Sequence, residues 1–275
     1  MTFNYDGLPQ VDNDVSHSPA GAALQDLALR HDVLEVKLFS QEAFRSKHGV
    51  SPTVGLCAGL VQAWWSSVRC GEDGIAVLED CTPTIVRSVL AQQLRSAYFE
   101  KIPSETAIDP ETDYWLRIKY GRRSLQELRS LCVHHQVANL LELDLVLQYQ
   151  SIIVERHIFP AFSAQLLGAF SESIEPGLRL LLLRYSHPGR RGGQCGHRVG
   201  LHLDKQGVAK LFDPNHGEVT FRSIQQFQSW FLEFWRVCEY RPRLEESVAN
   251  SPPFRLYRLR QTGKMRPPRS RGDES

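Results

Sequence analysis

Residues 53–65 read TVGLCAGLVQAWW. Leu56, Leu60, Val61, Trp64, Trp65 and Val68 recur at the spacing of a helical face, which predicts a helix from Cys57 to Val68. A cysteine in the first turn of a helix meets unpaired N–H groups and the positive end of the helix dipole, and both favour a thiolate. Gly55 lets the backbone approach a substrate carbonyl, and the Cys57 N–H is placed to donate to an oxyanion. Cysteine is also among the most buried residue types, so Cys57 alone assigns nothing. Cys70, Cys81, Cys132 and Cys238 read as structural thiols.

A nucleophilic thiol needs a base, and the stretch GHRVGLHLDKQGVAKLFD at 196–213 offers one. His197 opens a predicted strand and Asp213 closes the next, with the DKQG turn between them. Antiparallel pairing across that turn brings the two ends together. Asp213 then accepts from one imidazole nitrogen and leaves the other facing Cys57. His202 lies five residues after His197, so strand alternation turns it to the opposite face. His187 and His216 flank loops and are expected to be exposed. Cys195, His197 and His202 scatter over two faces, which argues against a zinc site.

The remaining chain reads as follows. Residues 1–21 form a polar, disordered leader. A short helix is expected at 22–31 and a strand at 33–39. Residues 71–74 break the Cys57 helix, and Thr82-Pro83 starts another that runs to about Phe99. Ser124 and Glu127 form a capping box, with helical pieces continuing toward Phe170. After Pro176-Gly177 the pattern changes to four strands separated by Gly, Pro and Asn turns, hence antiparallel. Ser223 caps an aromatic-rich helix to about Glu239, whose apolar residues imply burial around much of its circumference. FRLYRLR at 254–260 alternates as a last strand. The fold class expected is α+β, with a Cys-bearing helix and a helical lobe packed against an antiparallel sheet.

Composition narrows the function classes. The chain has 275 residues, 42% hydrophobic and 23% charged, with a net charge of +1. Nothing there calls for nucleic acid. The apolar runs are too short for a membrane helix, and the N-terminus lacks a signal-peptide pattern. Six cysteines spread along such a chain are expected to be reduced. Arg255, Arg258, Arg260, Lys264, Arg266, Arg269 and Arg271 make the C-terminal stretch basic, a candidate contact for anionic lipid or an acidic partner. RRGG at 190–193 is a candidate rim loop before His197.

The strings GLCAGL with WW, GH-x-V-G-L and LFDPNHGEVTF together resemble the YopT/AvrPphB-type papain-like cysteine proteases that bacteria deliver into host cells. By that resemblance Cys57 is the nucleophile, His197 the general base and acid, and Asp213 the residue orienting it. No metal or organic cofactor is implied. The resemblance implies a host protein substrate of GTPase or kinase type, and action in the host cytoplasm or at a membrane surface. The chain is read as one catalytic domain over 22–260 with a basic flexible tail at 261–275, and the block at about 80–175, which has no match in the family pattern, as a helical insertion. Papain-like enzymes place an amide side chain a few residues before the cysteine for the oxyanion. Positions 50–54 hold Val-Ser-Pro-Thr-Val, leaving Ser51, Thr53 and Gly55 as oxyanion or rim candidates. Acyl transfer or deamidation by the same thiol, or a catalytically silent binding role, are the rival functions.

Overall fold

The computed structural model describes residues 19–51, 55–99, 125–138, 140–186, 194–237 and 254–261. Its strands are β1 (Glu35–Leu38), β2 (Ser151–Phe159), β3 (Gly177–Ser186), β4 (Gln194–Leu203), β5 (Ala209–Asp213), β6 (Gly217–Phe221) and β7 (Phe254–Gln261). They form one sheet in the order β1-β6-β5-β4-β3-β7-β2, with every pairing antiparallel. The described helices are α1 (Pro19–Arg30), α2 (Gln41–Lys47), α3 (Cys57–Val68), α4 (Gly74–Glu79), α5 (Pro83–Phe99), α6 (Leu125–His134), α7 (Leu140–Tyr149), α8 (Ala164–Ser171) and α9 (Ile224–Val237). The α+β class expected from the sequence is the class observed.

The run LRLLLL at 178–183 explains how the layers stack. A strand covered on both faces carries apolar residues on both and not only at alternate positions; in this run only Arg179 departs, and its guanidinium donates to the Ser173 carbonyl. In β3, Leu181 and Leu183 join Val199, Leu201 and Leu211 against α1, α8 and the aromatic face of α9. Leu178, Leu180 and Leu182 point the other way and join Phe212 against Leu60, Val61 and Trp64 of α3. Helices therefore cover both faces of the sheet. On the α3 side, Trp64 stacks on Phe212 at 5.3 Å between ring centroids. Its indole N–H donates to the buried Glu218 carboxylate at 2.6 Å.

Several expectations need correction. Residues 151–159 are not helical. Gln150 takes a left-handed φ of 47° after α7, and the β-branched run Ile152-Ile153-Val154 then enters the sheet as edge strand β2. The 80–175 block is thus not purely helical, because it supplies a strand to the sheet. Two short helices, α2 and α4, were not apparent in the sequence, and their N-caps Ser40 and Asp73 account for them. In α9 the burial is confined to Ile224, Phe227, Trp230, Phe231, Phe234 and Trp235, one stripe and not most of the circumference. The last strand expected at 254–260 is β7, so Arg255, Arg258 and Arg260 of the basic stretch lie in the sheet, where Arg258 bridges Glu155 and Glu175. The leader expected at 1–21 is cut short, because α1 already starts at Pro19; residues 1–18, the capping Ser124, the rim loop at 190–193 and the basic residues from Lys264 onward lie outside the described residues. Among the described residues Cys57, Cys70, Cys81 and Cys132 are free thiols, and no helix is long and apolar enough to cross a membrane.

Candidate active site

Helix α3 starts at Cys57, behind an N-cap, Leu56, that gives no side-chain cap bond. The first-turn N–H groups must find partners elsewhere. That of Ala58 donates to Gln93 Oε1 of α5 at 2.8 Å. Helix α5 comes this close because position 59 is glycine. A Cβ there would sit 2.0 Å from the Val89 carbonyl oxygen, one helical turn before Gln93. The thiol itself is nearly covered, with Cys57 6% exposed. Its sulfur lies 3.7 Å from the carbonyl oxygen of Gly196, an exposed residue at the start of β4.

Strand β4 is the middle strand of the sheet, and it carries His197 next to that carbonyl. The His197 ring sits 2.9 Å from Asp213 through Nε2 and Oδ1. With Nε2 held by the carboxylate, Nδ1 is the nitrogen left over, and Cys57 lies close enough to raise the pKa of the ring. Both partners are buried, His197 at 4% exposure and Asp213 at 1%. Burial by itself drives the His197 pKa down. The Asp213 charge and hydrogen bond, with a smaller part from Cys57, overcome this and push it up to about 10. For Asp213, burial acts upward and is outweighed by the charges of His197 and His216 and by hydrogen bonds from His197 and the Asn215 N–H. Its carboxyl falls to about 2.

The Asp213-Pro214-Asn215-His216 turn is fixed from several sides. Asn215 N–H donates to Asp213 Oδ1 at 2.9 Å, an Asx turn. Gln41 N–H at the start of α2 donates to the Pro214 carbonyl at 2.7 Å. Gln41 Nε2 also donates to Asn215 Oδ1. Gly217 then enters β6 at a φ of 122°, where a Cβ would lie 2.1 Å from the Lys37 carbonyl oxygen. Only glycine fits that approach.

The structure separates the competing histidines. His202 points to the α3 face, where its ring meets Trp65 at 5.0 Å. Burial there lowers its pKa. His216 is buried, contrary to the expectation of exposure. Its ring packs edge-on against Phe234 at 5.2 Å, because the turn folds back over α9. Of the oxyanion and rim candidates, Gly55 is exposed and faces Gln93. Ser51 is exposed, and Thr53 lies outside the described residues. The residue that sequence reasoning missed is Gln93. It is far along the chain from Cys57, and only the packing of α5 on α3 brings it in. Behind Cys57, the buried Tyr149 phenol is pushed up by burial and feels Arg198, Asp144 and Cys57. Among the described residues, Glu155, His157 and Glu172 lie close enough to share a cation. Arg258 already pairs with Glu155 there.

Comparison with known proteins bears on the second half of this site. The model of a peptidase family described as Yersinia/Haemophilus virulence surface antigen matches residues 175–249. That segment includes His197 and Asp213 but not Cys57. The Pseudomonas avirulence protein AvrPphB is similar in structure, with 14% sequence identity and a TM-score of 0.49, over 86% of this chain and 99% of that one. The cysteine protease-like domain PatoxP of the Photorhabdus asymbiotica toxin PaTox is similar over 90% of this chain and 61% of that one, at 11% identity and a TM-score of 0.40. No curated protein sequence matches the chain.

Proposed function

We propose that the protein is a papain-like cysteine endopeptidase acting through Cys57, His197 and Asp213. The observation that supports this reading is the buried His197–Asp213 hydrogen bond beside a cysteine that starts a helix and lies against the Gly196 carbonyl next to His197. The Cys57 thiolate adds to a peptide carbonyl and forms a C–S bond. His197 then delivers the proton on Nδ1 to the leaving amine as the C–N bond breaks, leaving a thioester. Water attacks the thioester, His197 takes its proton, and the acid product leaves as the thiolate returns. Asp213 fixes the imidazole so that Nδ1 faces the sulfur throughout.

The setting proposed is a bacterial virulence protein released into a host cell. A host protein of GTPase or kinase type is the substrate proposed from the sequence resemblance. A single catalytic domain carries this activity. The basic residues Lys264, Arg266, Arg269 and Arg271 are the proposed contact with an anionic membrane. Two measurements test the reaction class. Iodoacetamide should label Cys57 in preference to Cys70, Cys81 and Cys132, and His197→Ala should remove that preference. Intact masses of lysate proteins treated with the enzyme should show cut chains. Uncut chains with a changed mass would instead indicate acyl transfer or deamidation, and unselective labelling would indicate a silent site.

A further inference from the structure

When a thiolate adds to a carbonyl, the negative charge moves to oxygen, and donors fixed in advance at that oxygen lower the barrier. The stretch before Cys57 offers no amide side chain for this. We propose that Gln93 of α5 supplies the missing donor through Nε2, beside the backbone N–H of Cys57. The inference rests on the thiol-enzyme reading of Cys57.

The orientation of the Gln93 amide follows from its partner. The Ala58 N–H is a donor, so the atom 2.8 Å from it is the carbonyl oxygen Oε1. The NH₂ group is therefore directed away from Ala58. Nε2 comes 3.7 Å from the place a Cβ on Gly55 would occupy, at the exposed entry to the helix N-terminus. The amide is thus anchored on one side by Ala58 and turns its donors toward Gly55, two residues before Cys57. With the Ala58 N–H already engaged, the first turn has one fewer backbone donor to give an oxyanion. Gln93 returns two N–H bonds in exchange for the one it accepts.

The amide is also held rigidly, as a preorganised donor must be. Val89 is fully buried one turn before Gln93 and rests against Gly59. The same face of α5 that docks on α3 therefore sets the position of Gln93. In this arrangement the oxyanion side chain comes from a helix after the nucleophile and not from the loop before it.

The test compares two reactions of Cys57. Acylation by p-nitrophenyl acetate passes through a tetrahedral oxyanion, whereas alkylation by iodoacetamide does not. Rates for Cys57→Ala are subtracted to remove the other thiols. In Gln93→Glu the carboxylate still accepts from Ala58 but has no hydrogen to donate. In Gln93→Leu both functions are lost. The acylation-to-alkylation ratio is expected to fall about 10²-fold in both variants, with the Gln93→Glu melting temperature unchanged. A purely structural cap would leave Gln93→Glu at the wild-type ratio, and that result would overturn the proposal. If wild-type Cys57 shows no reaction above the Cys57→Ala background with either reagent, the thiol-enzyme reading fails and takes this inference with it.

Discussion

His197 and Asp213 hold each other's charge in a buried site, and this makes them visible in stability as well as in turnover. His197 is raised from 6.5 to about 10 in the folded chain, so its contribution to stability is whole below pH 6.5 and is lost as pH rises through about 10. Asp213 is lowered from 3.8 to about 2, so its contribution is present above pH 3.8 and is lost as pH falls through about 2. Wild-type stability in denaturant titrations should therefore decline as pH rises from 6.5 toward about 10 and as pH falls from 3.8 toward about 2, and Asp213→Asn should flatten both declines. Parallel curves for the two proteins would show that the pair is not coupled. In turnover, Asp213→Asn should keep weak activity, because an amide oxygen still accepts from an imidazole N–H. His202→Ala should retain activity while His197→Ala loses it, since His202 faces Trp65 on the other side of β4. The reverse result in the same assay would reassign the base. These residue positions were legible in sequence because strand alternation separates 197 from 202 whatever the tertiary packing. The burial of His216 was not legible, because it depends on the fold of α9 over a turn that reads as polar.

At the scale of elements, the contact of α3 with α5 is the joint on which the Cys57 end of the site depends. Gly59→Ala places a Cβ 2.0 Å from the Val89 carbonyl oxygen, and backbone cannot rotate out of the way as a side chain can. The helices must separate, at a cost of about 1–3 kcal/mol in a denaturant titration. Gln93 would then be drawn off the Ala58 N–H, so activity should fall further than stability alone explains. A wild-type denaturation midpoint for Gly59→Ala would contradict this packing. The helix starting at Cys57 was evident from its apolar spacing, and α5 from Thr82-Pro83. Their mutual docking was not, because helix contacts join residues distant in sequence through glycine, which leaves no mark on hydrophobic periodicity. Strand β2 was missed for a related reason. Its apolar run follows directly on α7, and only the left-handed turn at Gln150 separates the two.

For the whole molecule, the sheet ties the ends of the described chain to its middle. Strand β7 lies between β3 and β2, so the last described residues are an internal strand and not an appendage. A chain ending at residue 253 should fail to fold, while one ending at residue 261 should keep the wild-type circular dichroism spectrum and melting transition. Cooperative folding of the shorter chain would contradict the sheet order. The same sheet brings together the two parts of the proposed site, the Cys57 helix on one face and the His197–Asp213 ends of β4 and β5. Their order along the chain carried the family resemblance, and the antiparallel turns made the His–Asp pairing readable. The amide of Gln93 needed the third dimension. The most direct test of the account is N-terminal peptide proteomics on host-cell lysate incubated with wild type, Cys57→Ala or His197→Ala. New N-termini that appear with wild type and with neither variant are the predicted result. Identical N-termini in all three samples, with Cys57 intact and selectively labelled by iodoacetamide in wild type, would contradict an endopeptidase.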